Sequence, residues 1–383
     1  MVGHAFMGAA HSHAWRTAGR FFDLPYRVEL AAVCGRSPER TAQAAAKYGW
    51  ESYETDWRTL VGRSDIDVID ICTPGDSHAE IALAALAAGK HVLCEKPLAN
   101  SVSEAADMTR AAELAEAAGI RSMVAFNYRR VPALALARQL VEAGRLGTIH
   151  QVRAQYLQDW LVDPEFPLAW RLRKDRAGSG ALGDLGAHSV DAAQFLTGQR
   201  ITSVGALLET FVTERPLPAE ASGLSGTASA ERGEVTVDDA ALFTARFDGG
   251  AIGVFEATRF ATGHKNAMRI EISGSAGTLA FDAESLNELA FYDRTQDQDT
   301  AGFRRIQVTE STHPYLDAWW PPGHLLGYEH TFTHQVRDFV AAVAAGEDPR
   351  PSFADGLQVQ RVLAAVESSA AASGAHVPVH PVP

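Results

Sequence analysis

The chain has 383 residues, more than one hydrophobic core usually serves, so its ordinary soluble composition predicts two domains. A net charge of −13 speaks against a nucleic-acid footprint, and no apolar run is long enough to span a bilayer. Three cysteines, Cys34, Cys72 and Cys94, each close an apolar run. An odd count in such positions predicts buried thiols without a disulfide framework. With no signal peptide before the first motif, a cytoplasmic protein in a reducing compartment is expected.

The chain opens on Gly3-His4-Ala5-Phe6-Met7-Gly8, a G-x-G-x-x-G pattern with Ala5 at the second glycine. This fingerprint sets a pyrophosphate on a helix N-terminus, with Gly3, Phe6, Met7 and Gly8 around it. Only Met1 and Val2 precede Gly3, whereas a strand usually needs about five residues. The central first strand is therefore expected to be short, or to begin before Met1. Arg27 to Cys34 reads as the second strand, and Ser37 caps a helix whose first residue is Pro38. The end of that strand meets the adenosine ribose. An acid there selects NAD, and an Arg accommodates a 2′-phosphate. Arg36-Ser37 carries no acid and so leans to NADP or to tolerance of both. The plain alternative is a capping turn with a solvated Arg36.

Asp67 to Pro74 reads as another buried strand, ending in Thr73-Pro74. It runs into a capping box, Ser77-His78-Ala79-Glu80, and an Ala-rich helix closed by Gly89. His91-Val92-Leu93 is a further strand, and it delivers Cys94-Glu95-Lys96-Pro97 to the crevice mouth at the strand ends. Ser101-Val102-Ser103-Glu104 opens the next helix, and Ser122 to Asn127 forms the next strand. Strands alternating with helices of about ten residues predict a doubly wound parallel sheet over residues 1–126.

From residue 127 to 383 the pattern changes. After an amphipathic helix, Val131 to Ala143, come strand-like runs at Thr148 to Gln158, Ile201 to Val212, Ala240 to Phe247, Ala251 to Arg259, Arg269 to Ser273 and Thr278 to Phe281. These predict an α+β domain with a large, mostly antiparallel open sheet. Pro216 to Glu234 and Asp293 to Gly302 read as surface loops. Two helices, Tyr328 to Ala345 and Phe353 to Ser373, and a Pro-rich tail complete the chain.

Gly178 to His188 is a second constellation. Its glycines allow close backbone approach. If a helix begins at Asp184, then Asp184 and His188 share one face, and a His oriented by a carboxylate is a usual general base. The plain alternative makes Asp184 an N-cap and His188 a satisfied core residue.

Taken together, Glu95-Lys96-Pro97 after a strand, Thr73-Pro74 followed by His78, and Gly180 through Asp184 to His188 resemble the Gfo/Idh/MocA oxidoreductases over essentially the whole chain. Within that family the chain is similar to the levoglucosan dehydrogenase group. The residues carrying that similarity are Phe6-Met7-Gly8, 125–130, 156–160, Trp170-Arg171, 178–184 and 352–356. Leu185-Gly186-Ala187 departs from that group. The resemblance implies a nicotinamide dehydrogenase of a sugar, anhydrosugar or cyclitol, with Lys96, Asp184 and His188 catalytic. His188 would take the hydroxyl proton, Lys96 would stabilise the developing alkoxide, and Asp184 would fix His188 or grip a neighbouring hydroxyl. The cofactor would lie on Gly3, Phe6, Met7, Gly8, Arg36, Ser37, Thr73, Pro74, His78, Glu95 and Lys96, with Trp170 and Arg171 near its nicotinamide half. The group is NAD-linked, against the NADP lean of Arg36.

Substrate contacts are expected on Asn127, Tyr128 and Arg129 and on Gln158, Asp159 and Trp160, besides Lys96, Asp184 and His188. Trp160 would stack on a sugar face, or else pack in the domain interface. His4, His11 and His13 suggest a metal cluster at first sight, but no matching ligands accompany them and the family uses none. Two rivals share the motifs: a glycoside hydrolase that retains NAD and works through a transient ketone, and a non-catalytic nicotinamide sensor. The resemblance also implies a homodimer or homotetramer formed through the open sheet face.

Overall fold

Val2 stands where the sequence lacks a first strand. In the computed structural model, which describes residues 1–222 and 225–380, it bridges Cys34 on one side and Ile71 on the other, both in parallel. Four backbone hydrogen bonds hold it there: Val2 N to Asp70 O, Cys72 N to Val2 O, Gly3 N to Cys34 O and Cys34 N to Met1 O, all within 2.9 Å. A short segment serves because its neighbours on both flanks satisfy its backbone groups.

Around it the first half winds as expected. The elements are α1 (Phe6–Phe21), β1 (Ala32–Cys34), α2 (Pro38–Tyr48), β2 (Ser52–Glu54), α3 (Trp57–Val61), β3 (Val68–Ile71), α4 (His78–Ala87), β4 (His91–Cys94), α5 (Val102–Glu116) and β5 (Ser122–Val124). The parallel strands lie in the order β2, β1, Val2, β3, β4, β5. Ser37 caps α2 ahead of Pro38, and Ser101 caps α5. The expected second strand is shorter than Arg27 to Cys34, because only Ala32–Cys34 finds β2 as a partner. The capping box at Ser77 does not form. The Ser77 hydroxyl turns back to Thr73 Oγ1 and Pro74 O, and Glu80 pairs with Arg58 instead.

The second half comprises α6 (Pro132–Glu142), β6 (Ile149–Leu157), α7 (Lys174–Ala177), α8 (Ala187–Thr197), β7 (Ile201–Glu209), β8 (Glu214–Ser222), β9 (Ser225–Glu234), β10 (Ala240–Phe247), β11 (Ile252–Thr258), β12 (Ala267–Gly274), β13 (Gly277–Asp282), β14 (Glu288–Asp293), β15 (Arg304–Gln307), α9 (Tyr328–Ala345), α10 (Phe353–Ala371) and β16 (Val377–Pro378). Nine strands form one open sheet in the order β15-β14-β13-β12-β6-β11-β10-β7-β16, antiparallel except for β6 beside β11. Burial alternates along β10 and β13, as a sheet with one covered face requires.

The expected loop Pro216 to Glu234 is instead the β8–β9 hairpin, with residues 223–224 outside the described residues. Its Gly-, Ala- and Ser-rich composition hides the strands because cross-strand backbone bonds, not side chains, define them. The end of the expected Pro-rich tail, residues 381–383, also lies outside the described residues.

The last two long helices turn back toward the first half. Phe332, Val336, Phe339 and Val340 of α9 share a core with Ala14, Trp15 and Ala18 of α1. The α10 helix packs on α5, and Pro351 O accepts from Val124 N. No described helix is long and apolar enough to cross a membrane. The three cysteines are buried and free.

Candidate active site

The N-terminus of α1 has no side-chain cap and no acid in its first turn, and Ala5 and Phe6 are exposed there. Its first backbone N–H groups are thus open to an anion. Gly3 has φ +95, and a Cβ on Gly8 would collide with Gly3 O. These two glycines bring helix and strand closer than any side chain permits, the cradle a pyrophosphate needs. Ala5 still leaves the turn open. Arg36 is exposed at the end of β1, while the Ser37 hydroxyl is spent on capping α2. Thr73 and Pro74 follow β3 and are half-buried. These residues fit a dinucleotide.

His78 and Glu95 do not face this crevice. The His78 ring lies between Thr73 O (2.9 Å) and Pro97 O (3.0 Å), so it clamps two turns together rather than touching a ligand. Glu95 is buried against His11, and its other oxygen accepts from Lys96 N.

Lys96 leaves β4 next to a cis peptide at Pro97 and extends to Asp184. The carboxylate of Asp184 takes Lys96 Nζ at 3.0 Å on one oxygen and Arg259 at 3.1 Å on the other. Burial alone would push this carboxyl up. The cations of Lys96, Arg259 and Arg171 outweigh burial and hold it far below the usual carboxylate range. The expected orientation of His188 by Asp184 is not seen, because residues 182–186 form a wider π turn and two cations claim the carboxylate.

His188 instead stands in an aromatic cage. Its ring centroid is 4.9 Å from that of Tyr128, 5.9 Å from Tyr156 and 6.0 Å from Phe126. Burial and the nearby Lys96 ammonium push its pKa well below the ordinary value, so the imidazole is neutral at pH 7. Its Nδ1 is buried without a partner among the described residues.

The glycine-rich turn before it is pinned from a distance. Asp238 accepts from Gly180 N and Leu182 N, both at 2.7 Å, and Arg259 donates to Gly180 O at 2.9 Å. Sequence reasoning missed Asp238 and Arg259. The only signal was an acidic pair, Asp238-Asp239, opening β10 and an Arg closing β11. It also missed Tyr328 at the start of α9, whose ring is 6.2 Å from Tyr128. Trp170 and Arg171 are half-buried, and the Arg171 guanidinium lies over the Trp170 ring at 4.4 Å.

The expected substrate strip divides. The hydroxyls of Tyr128 and Tyr156 are 2.8 Å apart and join Asn266, which also takes Gln158. Trp160 donates to Gln158 and packs on Phe166 in a small core beside the site. Its indole is thus held in a core of second-half residues, with the Arg259 guanidinium over its ring, and not in the domain interface where the packing alternative places it. Asp159 is tied to Lys265 and Gly263 N at the surface. Asn127 is buried and donates to Thr331. Arg129 is not free for substrate: its guanidinium makes a two-pronged pair with Asp191 at 2.6 and 2.8 Å. The three early histidines are dispersed. His4 meets Thr41, His11 meets Asp70 and Glu95, and His13 is exposed.

Comparison with known proteins agrees with this geometry. Residues 1–126 match the family described as "Oxidoreductase family, NAD-binding Rossmann fold", and residues 134–280 match "GFO/IDH/MocA C-terminal domain". Levoglucosan dehydrogenase of Pseudarthrobacter phenanthrenivorans is 43% identical, over 99% of this chain and 97% of its own. The crystal structure of an oxidoreductase domain protein from Kribbella flavida is 65% identical with a TM-score of 0.95, covering 99% of this chain and 98% of that one. A levoglucosan dehydrogenase in complex with NADH and levoglucosan is 41% identical with a TM-score of 0.93, again over 99% and 98%. The chain belongs to the Gfo/Idh/MocA oxidoreductase family, with its NAD-binding Rossmann fold.

Proposed function

We propose that this chain is an NAD-linked dehydrogenase, tolerant of NADP through Arg36, that oxidises a ring hydroxyl of a sugar, an anhydrosugar of the levoglucosan type or a cyclitol to a ketone. The observation that carries this reading is Lys96 held on Asp184 beside a neutral, cage-bound His188 with an unpartnered Nδ1. The similarity to a levoglucosan dehydrogenase over nearly the full length supports the substrate class.

When bound, the dinucleotide supplies the hydride acceptor. Gly3, Gly8 and the open N-terminus of α1 hold its pyrophosphate, with Thr73 and Pro74 alongside. Lys96 Nζ donates a hydrogen bond to the reacting hydroxyl oxygen and stabilises the charge that grows there. His188 takes the hydroxyl proton. Burial keeps its imidazole unprotonated and therefore able to accept, and general-base help of this kind is worth roughly a hundred- to ten-thousandfold. Asp184 stays a carboxylate throughout and aims Lys96. Tyr128 and Tyr156 lie around His188, and Gln158 joins them through Asn266, as candidates to read further hydroxyls.

In this reading residues 1–126 hold the dinucleotide. Residues 127–383 supply the substrate-facing surface and, on the open sheet face, a contact between subunits of a homodimer or homotetramer. Leu207, Leu242 and Val254 are exposed on that face. Buried free thiols fit a cytoplasmic location.

The test is to follow nicotinamide absorbance with NAD or NADP and a panel of levoglucosan, glucose, myo-inositol, scyllo-inositol and an aryl glycoside. Reduction of added cofactor by a polyol is expected. Release of aglycone without net reduction would point to the hydrolase. Dinucleotide binding with neither reaction would point to the sensor.

A further inference from the structure

His11 lies on α1 just beyond the phosphate-facing glycines and is 1% exposed. Its Nδ1 is 3.0 Å from both oxygens of Asp70, and its Nε2 is 2.9 Å from Oε1 of Glu95. Both carboxylates are buried as well, at 2% and 4% exposure. A neutral imidazole has one N–H, and two carboxylates on opposite nitrogens require two. Burial would lower the pKa of this ring, but Asp70 outweighs burial and holds it well above the ordinary value. Trp15 adds an N–H to Asp70 at 2.7 Å. The other oxygen of Glu95 accepts from the backbone N–H of Lys96 at 3.1 Å.

The same three-residue neighbourhood brings ligand atoms of His11, Asp70 and Cys72 within 4.8 Å of one another. It is not a metal site in this arrangement. Both ring nitrogens are spent on carboxylates, and burial pushes the Cys72 thiol up to about 12, so it keeps its proton.

We propose that His11 is a positioning residue for Lys96: an imidazolium that ties Glu95, and through Glu95 the backbone of Lys96, to the helix whose N-terminus receives the pyrophosphate. The docking surface for the dinucleotide and the aim of the Lys96 ammonium then belong to one rigid unit. This inference rests on the dehydrogenase reading of Lys96. Charge-assisted hydrogen bonds in a dry site are the strong ones, and a displacement of about 1 Å at a reacting group costs on the order of a hundredfold in rate.

The test separates the two arms of the ring. In His11→Asn the amide stands near Nδ1 and keeps Asp70 but cannot reach Glu95. In His11→Gln the amide stands near Nε2 and reaches Glu95. His11→Asn should lose on the order of a hundredfold in kcat, with KM for the dinucleotide and NADH affinity near wild type, and His11→Gln should recover most of it. Should His11→Asn fold poorly, Glu95→Gln keeps the shape while removing the acceptor charge. It should lose kcat in the same way, because its one amide oxygen cannot accept from both His11 Nε2–H and Lys96 N–H. Wild-type turnover in His11→Asn overturns the proposal. So does an equal kcat loss in both His11 variants at unchanged NADH affinity.

A readout independent of turnover is 15N NMR. His11 should show two protonated ring nitrogens at pH 8, and the Lys96 Nζ resonance, assigned with Lys96→Met, should shift in His11→Asn but not in His11→Gln. A singly protonated ring, or an unmoved Lys96 signal, overturns the proposal. If no polyol reduces the cofactor yet these signals behave as stated, the positioning stands and only the dehydrogenase reading has failed.

Discussion

Lys96 and Asp184 stand 88 positions apart in sequence, yet Lys96 Nζ lies 3.0 Å from the Asp184 carboxylate and 2.8 Å from its backbone carbonyl. One comes from the end of a parallel strand, the other from the glycine-rich turn of the second half, so this pair is where the two halves meet chemically. Lys96 is 13% exposed and Asp184 28%, so the pair opens on the crevice instead of being sealed in the core. A lysine held in this way by two of its three N–H bonds presents the third in a fixed direction, which is what stabilising a growing alkoxide requires.

Lys96→Met should lower kcat by about a hundred- to a thousandfold while NADH affinity, read by fluorescence titration, stays close to wild type. Asp184 keeps Arg259 as a partner, so the fold should survive the change. Turnover near the wild-type rate would remove Lys96 from the mechanism.

Arg36 is exposed at the strand end where the adenosine ribose would sit. Arg36→Asp should raise the ratio of kcat/KM for NAD over NADP by at least about tenfold, since it removes the partner of a 2′-phosphate and supplies one for a 2′-hydroxyl. An unchanged ratio would make Arg36 a solvated capping-turn residue and nothing more.

Arg129→Ala should act on stability rather than on substrate. It strips the buried Asp191 of its two-pronged partner, and breaking such a pair costs about 3–5 kcal/mol. A lowered urea midpoint with little change in KM for the polyol is expected. A raised KM at unchanged midpoint would return Arg129 to the substrate site.

His334 links acid stability to the packing of α9. Its Nδ1 lies 2.9 Å from Arg130 O, and its Nε2 accepts from Trp319 Nε1 at 2.8 Å, a neutral-ring arrangement. Burial lowers its pKa from 6.5 to about 4. A folded-state pKa below the unfolded one gives stability that is present above pH 6.5 and lost as pH falls toward 4. For a change of this size the loss reaches about 3 kcal/mol. His334→Gln, which can donate and accept without titrating, should therefore lose less stability between pH 7 and pH 4.5 than wild type does. The check is urea unfolding followed by tryptophan fluorescence, and parallel losses in the two proteins would contradict the account.

Much of the architecture was legible because it is written in local patterns. The buried runs ending at Cys34, Cys72 and Cys94 and the glycines at 3 and 8 define the parallel half, and the alternation in 269–273 defines one strand of the open sheet. Spacing put Asp184 and His188 together, and the family resemblance added Lys96 to them. The chemistry between them was less legible. Spacing of four suggested that Asp184 orients His188, but a π turn and the arrival of Arg259 gave the carboxylate other partners. Arg129 looked like a ligand-binding cation because its buried partner, Asp191, lies 62 positions away. Asp238 and Tyr328 were invisible for the same reason: nothing local distinguishes an acid or a tyrosine that tertiary packing carries into a site. The β8–β9 hairpin read as a loop because its residues carry little hydrophobic alternation.

The most direct measurement of the central claim is a turnover with ring-deuterated levoglucosan and NAD, followed by mass spectrometry of the nicotinamide product. Deuterium is expected in the reduced cofactor with a ketone accumulating beside it, and Lys96→Met should slow the appearance of both by about a hundred- to a thousandfold. Sugar consumed with no deuterium in the nicotinamide pool, or aglycone released from an aryl glycoside with no net reduction, would contradict it.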